Sequence, residues 1–354
     1  MKKRVLAILM AVSLCIAILA GCSTAPQQPS GQPSGQPSGQ PSGQPQATEY
    51  KIIAAEGNPD THPYYLGLVK YCDLLEEKSN GLMKSETFHS GQLGMDRDII
   101  EGTQLNTIQV GITTSAPLAG FTDAYLIFDL PFLFTDVEEA RMVCDSEVGD
   151  KIQESLKDIG IVGLAYFENG MRSITNSKRP ITVPADLNGV KIRTMENAMH
   201  MDAFRAMGAD ATPMSFNELF TALQQKTMDA QENPLVVTYT NKFYEAQEFL
   251  SITEHLYSPA PLMMAQAFYD SLPEELQKVS LDVAPEARDF QRAACDSESE
   301  TLIKQLEDVG MKINFPDKTP FRDATVSVYE KYVRDEKGFV DPAVYAEVQA
   351  LLGR

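Results

Sequence analysis

Residues 170–245 read GMRSITNSKRPITVPADLNGVKIRTMENAMHMDAFRAMGADATPMSFNELFTALQQKTMDAQENPLVVTYTNKFYE. The run Val190-Lys191-Ile192-Arg193 sets Val190 and Ile192 on one face of a strand, Lys191 and Arg193 on the other. Gly189 precedes it, and the polar turn Thr194–Asn197 opens a helix over Ala198–Met207. Further helices are predicted over Phe216–Gln225 and Pro234–Tyr244. Strands alternating with helices indicate an α/β fold. In such folds ligands collect in the crevice beyond the carboxyl ends of strands. Arg193 falls there, and Arg172 falls where another predicted strand meets a loop. A guanidinium fork grips a carboxylate through two parallel hydrogen bonds, which a lysine cannot do.

The same alternation extends outward in both directions. Tyr50–Ala55 reads as a first strand, followed by the loop Glu56–His62. Tyr65, Leu68, Val69, Cys72 and Leu75 have helical spacing, and Asn80-Gly81 ends that helix. Strands are predicted at Leu82–Phe88, Ile108–Ile112 and Ile161–Phe167, with helices at Arg97–Gln104 and Asp136–Leu156. Such an order favours a mainly parallel sheet. Downstream, strands are expected near Phe249–Thr253 and Leu262–Phe268, and Met311–Phe315 with two short amphipathic helices finishes the chain. Glu274–Asp308 is one long helical pattern with Pro285 inside it, long enough to cross from one lobe to another.

The N-terminus is of another kind. Lys2, Lys3 and Arg4 precede an apolar run, Val5–Leu19, that is shorter than the roughly 20 residues a membrane-spanning helix needs. That combination reads as an export signal. Residues 23–48 repeat PSGQ four times and carry no charge, so composition predicts a disordered tether. Its 26 residues would hold the folded part roughly 25–30 Å from an anchor. The signal holds three of the 30 basic residues and none of the 49 acidic ones, leaving 27 against 49 and a net charge of −22. That charge argues against nucleic acid and against an anionic membrane surface as partners. It does not exclude an anionic ligand, because a local arginine overrides the global field at contact distance. Past residue 22 the cysteines are Cys72, Cys144 and Cys295, an odd count without CxxC spacing. One disulfide among the three stays open.

Several segments together carry a resemblance: Gly170–Asn176, Lys178–Ile181, Asp186–Arg193, Gly208–Leu223 and Asp229–Pro234, with Gly91–Gly94, Asp96-Arg97 and Asp129–Phe134 upstream. In their order and gaps they resemble the DctP-like solute-binding receptors of tripartite ATP-independent periplasmic (TRAP) transporters. The likeness covers the chain from about Tyr50 onward. It implies a two-lobed periplasmic-binding-protein-like α/β fold, with lobe 1 at about 49–169 and 259–298 and lobe 2 at about 170–258 and 299–335. Leu19-Ala20-Gly21-Cys22 looks like a bacterial lipobox, which makes 1–22 a lipoprotein signal peptide and Cys22 the lipidated residue. The expected location is the extracytoplasmic face of the cell membrane, held by lipid, with integral TRAP subunits as partners.

For individual residues the sequence leaves alternatives. Arg193 could be a surface arginine paired with Glu196 or Glu218, an arrangement worth little; the family's pattern makes it the main ion pair to a ligand carboxylate. Arg172 becomes a second cationic contact by the same pattern. Asn233 precedes Pro234 and reads as a helix N-cap, whereas the resemblance places it on the ligand. Phe216 is core by type and a ligand contact by resemblance. Glu56, Asp96 and Thr114 are candidates by position, although Asp96 could merely cap the helix that follows. Glu196 is a further acceptor for a ligand hydroxyl. The polar run Thr113–Ser115 suits hydroxyls, so a sugar acid is expected over a dicarboxylate.

Catalysis has little support. His62, His89, His200 and His255 are scattered without metal spacing, and there is no GxSxG elbow or phosphate-binding glycine loop. No enzyme activity, cofactor or metal is expected. The rival readings are a receptor for an ATP-driven importer or sensor kinase, and a secreted hydrolase.

Overall fold

The N-terminal helix shows how locally the architecture is written. In the computed structural model, which describes residues 48–334 and 339–354, it spans Pro63–Lys78. Proline occupies its first turn, where no amide donor is needed, and the His62 side chain accepts from the Tyr64 amide. Tyr64, Leu68, Tyr71, Cys72 and Leu75 are buried along one stripe. Asn80 and Gly81 then take positive φ angles of 54° and 79°. The Gly81 amide bonds the Glu76 carbonyl and the Asn80 amide bonds Glu77, which satisfies the last open carbonyls.

Nine strands form one sheet: β1 (Tyr50–Ala55), β2 (Met83–Phe88), β3 (Val110–Ile112), β4 (Ile161–Asn176), β5 (Lys191–Thr194), β6 (Asp210–Pro213), β7 (Ala230–Pro234), β8 (Phe249–Ala265) and β9 (Lys312–Asn314). Their order is β2-β1-β3-β8-β4-β7-β5-β6, with β9 beside β8. The flanks β2-β1-β3 and β7-β5-β6 are parallel as expected, but the middle is antiparallel, built on β4 and β8. The sheet is therefore mixed. An apolar cluster of Ile52, Leu68, Val110, Leu262 and Ala287 serves one flank, and another of Ile192, Phe204, Ala211 and Ala230 serves the other.

Several boundaries differ from the sequence expectation, each for a visible reason. The strand predicted at Ile161–Phe167 continues to Asn176 through Glu168-Asn169-Gly170, where the register shifts and Gly170 takes a φ of 107°. An added Cβ there would meet only the Pro234 Cβ, at 3.8 Å, so backbone conformation rather than space calls for glycine. Phe249–Thr253 and the first part of Leu262–Phe268 belong to one strand, β8, joined across Pro259 and Pro261, and a helix takes over at Gln266–Ser271. The Asp136–Leu156 helix is broken at Asp145-Ser146, where the Ser146 hydroxyl caps the Glu147–Glu154 helix. Glu274–Asp308 separates into Glu274–Asp282 and Ala284–Asp308, with Pro285 in the first turn of the second. That long helix packs on the Pro63–Lys78 helix and β4 near its start, and on the Leu235–Thr240 helix and β9 further along. The side chains of Cys72, Cys144 and Cys295 are all buried. The signal, the lipobox and nearly all of the PSGQ segment lie outside the described residues.

Candidate functional site

Three adjacent strands bring the predicted polar residues together. In the order β4-β7-β5, Arg172 pairs with Pro234, Ser173 with Asn233, and Arg193 with Gln231. Arg193 and Asn233 thereby reach the carboxyl ends of two parallel strands, at the crevice such folds offer.

Arg193 is not a surface arginine. It is 3% exposed, and among the described residues no carboxylate lies within ion-pair distance, neither Glu196 nor Glu218. Its Nε donates to the Met214 carbonyl at 2.8 Å, and its Nη1 is buried without a hydrogen-bond partner. The guanidinium carbon stands 5.9 Å from the centre of the Phe216 ring, which lies edge-on to Phe243. Burial, partly offset by the opposite charge of Glu232, pulls its pKa from 12.5 down to about 10, so it stays cationic at neutral pH. A buried charge without a counter-ion is costly.

Arg172 has a different environment. It is fully buried in a bidentate pair with Glu232, Nε to Oε2 at 2.6 Å and Nη2 to Oε1 at 2.9 Å. Its Nη2 also donates to Asn233 Oδ1 at 2.9 Å, and its Nη1 has no partner. His255 Nε2 lies 3.2 Å from Glu232, and its Nδ1 lies 2.8 Å from the Thr253 hydroxyl. Burial alone would raise the Glu232 pKa, but Arg172 and His255 hold it well below the usual range. Arg172 is thus neutralised, and it stands behind Asn233 rather than in the cleft wall. Asn233 is itself within β7, and the Leu235–Thr240 helix begins after Pro234, so the N-cap reading of Asn233 is corrected.

Arg193, Asn233 and Phe216 share one cavity with Asp96, Thr114 and Tyr64. It holds about 370 Å³ of space between atoms, part of it continuous with solvent. Asp96 is half-buried and does not cap its helix. Asp98 does so, by accepting from the Met95 amide at 2.9 Å, while Asp96 Oδ1 faces the Thr114 amide at 3.4 Å. Burial raises the Asp96 pKa from 3.8 to about 6. Glu56 lies just behind the lining residues Gly57 and Asn58; its Oε2 accepts from the Asn58 amide at 2.6 Å, and Oε1 is unpartnered. Burial pushes its pKa well above 4.5. Glu196 is exposed and lines an outer compartment with Arg97 and Ser215.

Sequence reasoning did not find Tyr64, Asn169, Glu232 or His255. Tyr64 hides in the apolar stripe of its helix, yet its hydroxyl is buried, unpartnered and at the cavity. Asn169 sits where β4 shifts register, with Oδ1 likewise unpartnered. Glu232 lies inside the quoted DAQENP segment, where only pairing with a buried arginine reveals its part.

Residues 54–335 match the family model for bacterial extracellular solute-binding proteins, family 7, named DctP. The chain is 37% identical over 277 residues to the 2,3-diketo-L-gulonate-binding periplasmic protein YiaO of Escherichia coli K12, covering 78% of this chain and 84% of the relative. A solved TRAP periplasmic solute-binding protein from Polaromonas sp. JS666, bound to D-erythronate, is 38% identical with a TM-score of 0.82; the match covers 85% of this chain and 99% of that one. The sugar acid binding protein DctPAm from Advenella mimigardefordensis, in complex with galactonate, is 32% identical with a TM-score of 0.82, over 86% and 98% of the two chains.

Proposed function

This chain belongs to the DctP family of bacterial extracellular solute-binding proteins, the receptors of TRAP transporters, and on that premise we propose that it captures a small polyhydroxylated carboxylate and delivers it to integral TRAP subunits. The observation that carries the reading is Arg193, buried, cationic and without a carboxylate at ion-pair distance among the described residues. In this reading its fork takes the ligand carboxylate, Asn233 supports the same end with Arg172 holding it from behind, and Phe216 packs on the bound molecule. Thr114, Tyr64, Asn169, Asp96 and Glu56 face the hydroxyls, and Glu196 contributes at the mouth. Two lobes, divided near residues 169, 258 and 298, would close on the ligand and shift a population that exists without it. Lipidation of Cys22 would keep the receptor on the extracytoplasmic face.

A thermal-shift screen of the purified protein against uronates, aldonates, keto acids and dicarboxylates tests this directly. A ligand at 100 times its dissociation constant adds about 2.7 kcal/mol, a shift of several degrees. No shift with any carboxylate, from a folded protein, would overturn the reading.

The cavity wall narrows the ligand class. Arg193 is the one cation among the residues lining the inner cavity, whereas Thr114, Tyr64 and Asn169 offer buried, unpartnered oxygens. A second carboxylate would meet Asp96 instead of a cation. A hexuronate is therefore expected to bind at least about tenfold tighter than succinate, the value of one well-made hydrogen bond. Equal affinities would count against this choice.

Asp96 gives the site a pH dependence. Its raised pKa means that it takes up a proton as pH falls through about 6, and the neutral form does not repel a bound anion. Uronate affinity should thus increase from pH 7.5 to pH 5.5, with the uronate itself ionised throughout. Isothermal titration across that window should show the slope in the native protein and its loss in Asp96→Asn. An unchanged slope in the variant would assign the effect elsewhere.

A further inference from the structure

We infer that Asp129, Asn197 and His200 form a tie that fixes the spacing between the two walls of the ligand cleft, acting as positioning residues rather than as ligand contacts. The cluster joins segments distant in sequence. Asn197 Nδ2 donates to the Ala116 carbonyl at 3.0 Å and to Asp129 Oδ2 at 2.8 Å, and His200 Nε2 lies 2.9 Å from Asp129 Oδ1. Asn197 Oδ1 meanwhile caps the Ala198–Ala206 helix by accepting from Met199 and His200. Asp129, Asn197 and His200 are each at most 3% exposed. Leu118, Phe128, Met199 and Ala203 belong to the core cluster around them, so the bonds are sheltered from competing water.

Position gives the tie its consequence. Asn197 lies four residues after Arg193, and Ala116 lies two after Thr114. Chain spans of four and two residues reach at most about 14 Å and 7 Å. The tie therefore limits how far the arginine wall and the hydroxyl wall separate, whatever the remainder of each wall does. None of its three members lines the cavity. A helix cap alone would need only the Asn197 oxygen; the amide nitrogen, with its two acceptors on the opposite segment, has no part in capping. The ligand arm of the test rests on the receptor reading above, while the distance arm stands without it.

Asn197→Ser separates these parts, because serine caps well but is too short to span to Ala116 and Asp129. Spin labels at Leu105→Cys and Glu218→Cys report the wall separation in the unliganded protein. Leu105 is 76% exposed and Glu218 is exposed, the three buried thiols are shielded, and Cys15→Ser with Cys22→Ser keeps the label off the N-terminus. The expected result is a distance distribution at least about twice as wide in Asn197→Ser, and D-galacturonate affinity about tenfold weaker. The unliganded melting temperature should fall by no more than a few degrees. Asp129→Ala, which removes the carboxylate shared by Asn197 and His200 and leaves the Ala116 bond and the cap, should widen the distribution as well and decides the matter if Asn197→Ser does not fold. An unchanged width in a folded variant overturns the tie. If the native protein does not bind D-galacturonate, the choice of sugar acid fails, and the label distances still judge the tie.

Discussion

Arg193→Ala is expected to abolish carboxylate binding while leaving the unliganded protein as stable as before, or slightly more so. Truncating one partner of a buried, hydrogen-bonded charge pair costs about 2–5 kcal/mol of binding, a loss of roughly 30-fold to several thousand-fold in affinity. Arg193 has no carboxylate at ion-pair distance among the described residues, so its removal deprives the folded chain of no ion pair. What is lost is one hydrogen bond to Met214 and the packing on Phe216, against relief from burying a charge. Arg193→Lys should bind weakly, because a point charge replaces the fork. Titration calorimetry with the ligand found by thermal shift, beside melting curves of each unliganded variant, checks both halves. Retained affinity in the two variants would sink the assignment. A large fall in unliganded stability would mean that the charge is compensated internally.

The sequence carried this residue because strand alternation and a following helix cap are local, period-2 and period-3.6 signals. Val190 and Ile192 turn inward on those grounds alone, and Arg193 follows at the strand end. Helix ends were legible for the same reason, as the Asn80-Gly81 cap shows. What could not be read locally was the middle of the sheet. Glu168-Asn169-Gly170 and Ser258-Pro259-Ala260-Pro261 look like breaks, yet they lie opposite one another in β4 and β8. Their pairing is non-local, so neither segment alone reveals it. The burial of Glu232 is of the same kind. In a chain with 49 acidic residues an individual glutamate reads as solvated surface until its partner is known. The separate roles of the two arginines follow from that one carboxylate, since Glu232 pairs directly with Arg172 and, among the described residues, leaves Arg193 without a carboxylate at ion-pair distance.

Glu232→Gln should accordingly do the reverse of Arg193→Ala, lowering stability strongly. Removing one partner of a buried pair leaves an uncompensated charge and costs about 3–5 kcal/mol, which for a chain of this size lowers the melting temperature by on the order of 10 °C. Glutamine retains the shape and one acceptor, so lost volume does not account for the effect. His255 loses its charged partner as well. The pH dependence gives an independent check. The folded pKa of Glu232 is depressed, so its stabilisation is fully present above the unfolded value near 4.5 and is lost as pH falls below it. The unfolded chain binds the extra proton there, and stability rises with pH across that range. Denaturation of the native protein between pH 3 and 6 should show this slope, and Glu232→Gln should lack its share. The double variant Arg172→Met with Glu232→Gln should recover part of the loss, because Arg172 is then not left as a lone charge and neighbouring sites are not additive. If the single variant melts like the native protein, the pair is weaker than its geometry implies. Arg172 would then be free to serve the ligand as a second cation, and the contrast between the two arginines would have to be abandoned.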